Sequence, residues 1–302
     1  MGILDGRVAI VTGGGRGIGQ SISKLFAKEG AKVIINDLGV ATDGTGVDTG
    51  PAQDTAKEIT AAGGVALANG GDIAEAATGE ELVQTAIKEF GKLDVVVNVA
   101  GILRDRMIFN LSPEDWDAVI RVHLRGTYST VRPASAYFRE QRNEQGHYRI
   151  INFSSGSGLH GAPGQPNYAA AKLGIVGLTY SLANALGRYG VTANAIAPGA
   201  STRMTDSIPE DRRRQGLTDS SANEANPERS PDNVAPMVAY LASEASDWAS
   251  GRTWRCMGYA VGLYNNPEVI SEVTSDGAWD LADLTKKVES TFKPIASGLP
   301  AR

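Results

Sequence analysis

Arg7-Val8-Ala9-Ile10-Val11-Thr12 runs without a break into Gly13-Gly14-Gly15-Arg16-Gly17-Ile18-Gly19. Val8 to Val11 are apolar with no polar alternation, which predicts a strand buried on both faces. The glycines after it predict a tight turn, and amphipathic spacing over 17–29 predicts a helix entered from that turn. The common dinucleotide spacing G-x-G-x-x-G/A fits in no register, because Ile18, Gln20 and Ile22 fall on its third position. What fits is G-x-x-x-G-x-G on Gly13, Gly17 and Gly19. The physics is shared: such a turn lets backbone N–H groups of Gly13, Arg16, Gly17, Ile18 and Gly19 approach a pyrophosphate at a helix N-terminus. A glycine-rich strand–helix turn with no ligand is the alternative.

Outward from the turn, the same rhythm repeats. Apolar, β-branched runs at 32–37, 63–68, 93–99, 149–154, 191–197 and 253–257 alternate with helical stretches at 74–90, 113–142 and 165–189. Apolar strands separated by helices predict an α/β fold: a doubly wound, Rossmann-like parallel sheet of about seven strands with helices on both faces. A single domain spans 1–257, and 258–302 form a tail that packs on the domain or on a partner subunit, with a helical stretch at 281–292. Two polar segments interrupt the rhythm. One is a long loop at 38–51; the other, 200–231, contains Arg212-Arg213-Arg214 and reads as a lid.

The composition excludes several classes. The 302 residues carry 29 Lys+Arg against 34 Asp+Glu, a net charge of −5, which gives no electrostatic reason to expect nucleic acid or an anionic membrane as partner. Cys256 is the only cysteine and His123, His147 and His160 the only histidines, so no disulfide framework and no Cys/His metal cluster is expected. No apolar run approaches the ~20 residues of a membrane helix. Charges stand where a signal peptide would be apolar, and cytoplasmic residence is expected.

Asp37 closes the second strand eighteen residues past Gly19. A carboxylate there accepts hydrogen bonds from both adenosine ribose hydroxyls and repels a 2′-phosphate, which favours NAD over NADP. Arg16 argues the other way, since a guanidinium in the turn pairs with such a phosphate. Tyr168 and Lys172 stand at i and i+4, on one face of a helix. A free phenol, with a pKa near ~10, is a poor base; a fixed ammonium beside it lowers that value and makes the pair an acid/base unit. Ser155, thirteen residues before Tyr168, ends the fifth strand, at the sheet edge where α/β folds bind ligands.

In order along the chain stand T-G-x-x-x-G-x-G, Asn98-Val99-Ala100-Gly101, Ser155, Tyr168-x-x-x-Lys172 and Pro198-Gly199. Together, over about 5–258, they resemble the short-chain dehydrogenase/reductase family. That resemblance implies Tyr168 as general acid/base. Lys172 would tune the phenol and bind the nicotinamide ribose, and Ser155 would orient the substrate oxygen. By the same resemblance Asp72, beside Ile73, holds the adenine, the Asn98–Gly101 segment lines the cofactor, and Pro198, Gly199 and Thr202 meet the nicotinamide side. His123, within Val122-His123-Leu124-Arg125-Gly126, stands where the family usually has a catalytic Asn. A buried structural histidine is one reading; an imidazole holding the water that relays protons from Lys172 is the other.

Gly101-Ile102-Leu103-Arg104-Asp105-Arg106, the His123 stretch and Asn36-Asp37-Leu38-Gly39 further resemble the (3R)-hydroxyacyl-CoA dehydrogenase unit of the type 2 peroxisomal multifunctional enzymes and its single-domain bacterial relatives. The resemblance implies NAD-dependent interconversion of 3-hydroxyacyl-CoA and 3-oxoacyl-CoA, fatty or steroid-derived. Arg104, Arg106 and the 212–214 run are candidates for the CoA phosphates. A homodimer or homotetramer built through 113–142 and 165–189 is implied as well. Two alternatives stand beside this: an NAD(P)-dependent alcohol or hydroxysteroid dehydrogenase acting without CoA, and a non-catalytic dinucleotide-binding protein.

Overall fold

All five residues of β1 (Val8–Thr12) are buried. Val8 and Ile10 join one apolar cluster while Ala9 and Val11 join another, so the unbroken run serves two cores at once. The computed structural model describes residues 2–206 and 226–296. Among them one eight-stranded sheet has the order β3-β2-β1-β4-β5-β6-β7-β8. β2 (Lys32–Asn36), β3 (Val65–Asn69), β4 (Val95–Asn98), β5 (Tyr148–Phe153), β6 (Val191–Gly199) and β7 (Arg252–Met257) lie parallel to β1.

Helices cover both faces. On one side α1 (Gly17–Lys28), α2 (Gly50–Ala61) and α9 (Ala235–Ala242) supply Ile22, Phe26, Ile59, Val238 and Leu241. On the other, α3 (Ala76–Phe90), α5 (Gly126–Gln141) and α7 (Pro166–Leu186) supply Leu82, Val83, Val131, Phe138 and Leu186. α4 (Pro113–Ile120) precedes α5, α6 (Gly156–His160) precedes α7, and α8 (Arg203–Asp206) follows β6. The doubly wound expectation is met.

Three details differ from the sequence reading. The stretch 113–142 is not one plain α-helix: a π-helical turn, Arg121–Arg125, separates α4 from α5. α2 begins at the end of the segment read as loop, with Pro51 in its first turn. An eighth strand, β8 (Ala260–Leu263), pairs antiparallel with β7. Three of its four residues are exposed, so no burial alternation marks it in the sequence. Because β8 continues the sheet, the first compact unit ends at Tyr264 rather than at 257. The second unit, from Asn265, contains α10 (Leu281–Thr291), whose N-terminal N–H groups are capped by Asp280. Most of the segment read as a lid, 207–225, with its three arginines, lies outside the described residues.

One helix bears on the membrane expectation. Pro166–Tyr189 is long enough to cross a membrane by length and composition, with a mean hydropathy of 1.2 over an 18-residue window. It carries Asn167 and Lys172, both buried in this fold.

The strand order reverses between β1 and β4, the switch point at whose carboxyl ends open α/β sheets form a ligand crevice. The register lines up a row of polar residues at that edge: Thr12 beside Asn36 and Asn98, Asn36 beside Asn69, Asn98 beside Asn152.

Candidate active site

The glycine turn sits on the β1 side of this crevice. Gly13 and Gly17 have positive φ (+63° and +52°), which side chains with a Cβ rarely adopt. A Cβ on Gly13 would also come within 2.8 Å of the Ala100 backbone, so glycine is what lets the β1 turn close on the β4 loop. Thr12 holds that contact, its hydroxyl accepting the N–H groups of Val99 (3.2 Å) and Ala100 (3.3 Å). At Gly17 a Cβ would meet only Thr202 within 4 Å, at 3.6 Å, an ordinary contact, so the segment after β6 comes up to the turn here. A glycine turn at the start of α1 is the kind of backbone-lined cradle that a dinucleotide's phosphates require. Ile18 packs on the core beneath it.

Asp37 accepts the Gly15 N–H at 3.0 Å and the Gly39 N–H at 2.8 Å. Its carboxylate has no ion pair among the described residues, which leaves acceptor capacity for ribose hydroxyls. Arg16 is engaged: it pairs with Asp48 at 3.5 Å and reaches the Gly39 and Val40 carbonyls.

Two expected cofactor contacts, Asn98 and Asp72, already have side-chain partners within the fold. Asn98 is 5% exposed and its amide is committed inside the fold. It donates to Asn152 Oδ1 (2.9 Å) and accepts from Thr130 Oγ1 (2.6 Å), while Asn152 donates to Thr179 Oγ1 (3.0 Å). This chain ties β4 and β5 to α5 and α7, since each buried polar group needs a partner. Asp72 accepts the Ala74 N–H at 2.9 Å and an ion pair from Arg121 at 2.7 Å. Ile73 beside it is buried.

The acid/base residues converge at the ends of β4, β5 and α7. Ser155 caps α6, its hydroxyl accepting the Ser157 N–H at 3.2 Å. Lys172 is 4% exposed; its Nζ donates to the Phe153 carbonyl at 2.7 Å and lies 5.6 Å from the Tyr168 ring centre. Burial dominates both groups. It pushes the phenol up to about 12, with the Ser155 hydroxyl acting in the opposite sense and the Asp105 carboxylate adding to the rise. It lowers Lys172 to about 7. The expectation that the ammonium lowers the phenol is therefore outweighed among the chain's own groups, because desolvation penalises phenolate and ammonium alike.

His123 is buried in the π-helical turn, 1% exposed. Its Nε2 meets both Ile102 backbone groups, the oxygen at 2.8 Å and the nitrogen at 3.1 Å, and its ring stands edge-on to Tyr168 at 5.0 Å between centres. Nδ1 is buried without a hydrogen-bond partner. Burial first, then the nearby Lys172, holds the imidazole well below its ordinary pKa, so it is neutral. A Cβ on Gly101 would overlap the imidazole Cε1: the glycine of Asn98-Val99-Ala100-Gly101 makes room for this ring.

Pro198 and Gly199 end β6 beside Cys256 and Met257 of β7. Sequence reasoning missed the residues that aim α7. Asn167 is fully buried, donates to the Arg104 and Asp115 carbonyls (3.1 Å each) and accepts the Tyr168 N–H at 2.8 Å. Gln165 donates to Asp105 at 2.8 Å, and burial raises that carboxyl's pKa. Their position directly before Tyr168 was the available signal. Of the basic residues considered for CoA, Arg104 pairs with Asp115 (3.2 Å) and donates to the Asp43 carbonyl (2.9 Å), and Arg106 donates to the Asp105 carbonyl (2.8 Å).

Comparison with known proteins gives a consistent picture. The family model described as short chain dehydrogenase matches residues 7–213. Hydroxyacyl-CoA dehydrogenase ChsB1 of Mycobacterium tuberculosis is 43% identical over 298 residues, 96% of this chain and 89% of that protein. Peroxisomal multifunctional enzyme type 2 of Drosophila melanogaster is 40% identical over 86% of this chain, which spans 40% of that protein's length. A crystal structure of a short chain dehydrogenase from Mycobacterium avium superposes with a TM-score of 0.84 at 42% identity, covering 99% of this chain and 98% of that one.

Proposed function

Since this chain belongs to the short chain dehydrogenase family, we propose that it interconverts 3-hydroxyacyl-CoA and 3-oxoacyl-CoA, fatty or steroid-derived, using NAD. The observation that carries the reading is the convergence of Ser155, Tyr168 and Lys172 beside a backbone-lined phosphate cradle. Bound NAD would accept or return a hydride; the protein fixes geometry, charge and proton traffic. Tyr168 Oη exchanges the proton of the substrate hydroxyl. Ser155 Oγ donates to the substrate oxygen as charge develops on it. Lys172, anchored on the Phe153 carbonyl, supplies the adjacent positive charge when protonated and would bind the nicotinamide ribose. The neutral His123 stiffens the wall behind the phenol, and its unpartnered Nδ1 offers an acceptor to a water on the proton path out of Lys172.

NAD rather than NADP is supported by the uncompensated Asp37 and by the pairing of Arg16 with Asp48. The acyl-CoA substrate is supported by the name of the Mycobacterium tuberculosis relative. A second reading, an alcohol or hydroxysteroid dehydrogenase acting without CoA, is favoured by one observation: Arg104 and Arg106 are already engaged within the fold. Self-association through α5 and α7 belongs to the same proposal; Tyr128 and Leu173 on these helices are half exposed.

Turnover of a 3-hydroxyacyl-CoA and of the matching free alcohol, each with NAD and with NADP, tests this. The proposal expects the thioester with NAD to have the highest kcat/KM. Equal or better turnover of the free alcohol would overturn the CoA assignment in favour of the second reading. A preference for NADP would overturn the cofactor assignment.

A further inference from the structure

The π-helical turn that carries His123 begins and ends with a cation, and both cations reach the same acidic turn. Arg121 Nη2 lies 2.7 Å from Asp72 Oδ2 and 2.5 Å from Glu75 Oε1. Arg125 Nη2 lies 3.9 Å from Glu75 Oε2. Asp72 and Glu75 belong to the turn between β3 and α3, the part of the crevice that the adenine end of a dinucleotide would occupy.

Packing makes the two turns one body. A Cβ on Gly126, directly after the π-helical turn, would come within 3.1 Å of Ile73 Cγ2. One turn into α3, a Cβ on Gly79 would overlap the Ser129 carbonyl of α5, so the two helices cross backbone to backbone. From the π-helical turn the contacts continue: His123 to the Ile102 backbone, and His123 edge-on to Tyr168.

We propose that Arg121 is a positioning residue that latches the adenine pocket to the His123 imidazole beside Tyr168. One guanidinium orients the Asp72 carboxylate toward its ligand and holds the turn that sets His123 against Tyr168. The proposal rests on the dinucleotide reading above. Arg121 suits the task because its Nη2 donates to both carboxylates and the rigid guanidinium fixes the direction of that nitrogen, which a freely rotating ammonium does less well. Occupancy of the adenine end then restrains the His123 turn, and by linkage the ordering of that turn strengthens adenine binding by the same factor. The latch is partly exposed, with the Arg121 side chain 39% accessible, so its effect declines as salt rises.

Hydrogen exchange of the full chain with ADP-ribose as probe tests the coupling without turnover. Calorimetry first establishes that ADP-ribose binds. In the unmodified protein, saturating ADP-ribose is expected to slow exchange of the amides at 121–126 at least threefold. In Arg121→Met, binding is expected to weaken about fivefold, and the slowing at 121–126 to disappear even when the probe saturates. Glu75→Gln, which weakens the latch but leaves the Asp72 pair, is expected to reduce the slowing partially, and it serves alone if Arg121→Met does not fold. Arg121→Lys is expected to restore less than half of it. With NAD saturating, Arg121→Met is also expected to lower kcat several-fold, which loss of adenine affinity alone would not do. Undiminished slowing in both Arg121→Met and Glu75→Gln would overturn the latch. Absence of ADP-ribose binding to the unmodified protein would instead overturn the dinucleotide reading.

Discussion

Lys172 Nζ is 2.7 Å from the Phe153 carbonyl and 5.6 Å from the centre of the Tyr168 ring, so the amine is anchored to β5 while remaining beside the phenol. The pair is therefore held by the sheet rather than by either side chain alone.

The burial of Lys172 makes stability depend on pH. Its folded pKa of about 7 lies below the ordinary lysine value of 10.5. Between those values the unfolded chain holds a proton that the folded chain has released, so stability rises with pH across this window, by up to about 1.4 kcal/mol per unit. The penalty of the buried ammonium is present in full below pH 7. Lys172→Met removes the group, so denaturant unfolding of the variant should lack this component. The difference in stability between wild type and variant should shift toward wild type from pH 7 to pH 10. A constant difference would contradict the burial.

Tyr168→Phe deletes the proton-exchanging oxygen and little else. Turnover should fall by about 10² to 10⁴, while a fluorescence titration with NAD should give nearly the wild-type Kd. Retained turnover would remove Tyr168 from the acid/base role.

Gly101 and His123 form a pair in which one is small because the other is large. Gly101→Ala should cost about 1–3 kcal/mol through overpacking, measured by urea unfolding. In the background of His123→Ala the same substitution should cost much less. The interaction term of the double-mutant cycle should be at least about 0.5 kcal/mol.

His123 also predicts an acid-side effect. Its folded pKa is well below 6.5, so as pH falls below 6.5 the unfolded chain gains a proton that the folded chain resists. Stability declines in that window. His123→Asn should flatten the decline of Tm between pH 6.5 and 5 relative to wild type.

Asp37 separates the two nicotinamide dinucleotides by charge. Asp37→Ser should lower kcat/KM with NAD and raise it with NADP, shifting the ratio at least tenfold. An unchanged ratio would place cofactor choice elsewhere.

The sheet was legible because β1 and its glycine turn combine a run buried on both faces with a backbone conformation that needs glycine at Gly13 and Gly17. Tyr168, Lys172 and Ser155 were legible because an i, i+4 spacing and a strand end fix where side chains point. The amides were not. Asn98 reads as a ligand contact by its position, yet its partners, Thr130 and Asn152, come from α5 and β5 and are brought to it only by tertiary packing. The same holds for Arg121, whose carboxylates lie 46 and 49 residues away along the chain. The suppression of ionisation at Tyr168 and Lys172 was also hidden, because spacing along a helix reveals neighbours but not how much water surrounds them.

The amide chain from Thr130 through Asn98 and Asn152 to Thr179 has a consequence for variation in this molecule. A shift of one residue between the two central strands would turn one of the two amides to the wrong side and strand the other amide and a hydroxyl companion in a dry interior. Alignment at the centre is thus all-or-none. Changes in what the protein accepts are channelled to the periphery, where loops and termini can diverge without moving the reacting hydroxyl by a fraction of an ångström.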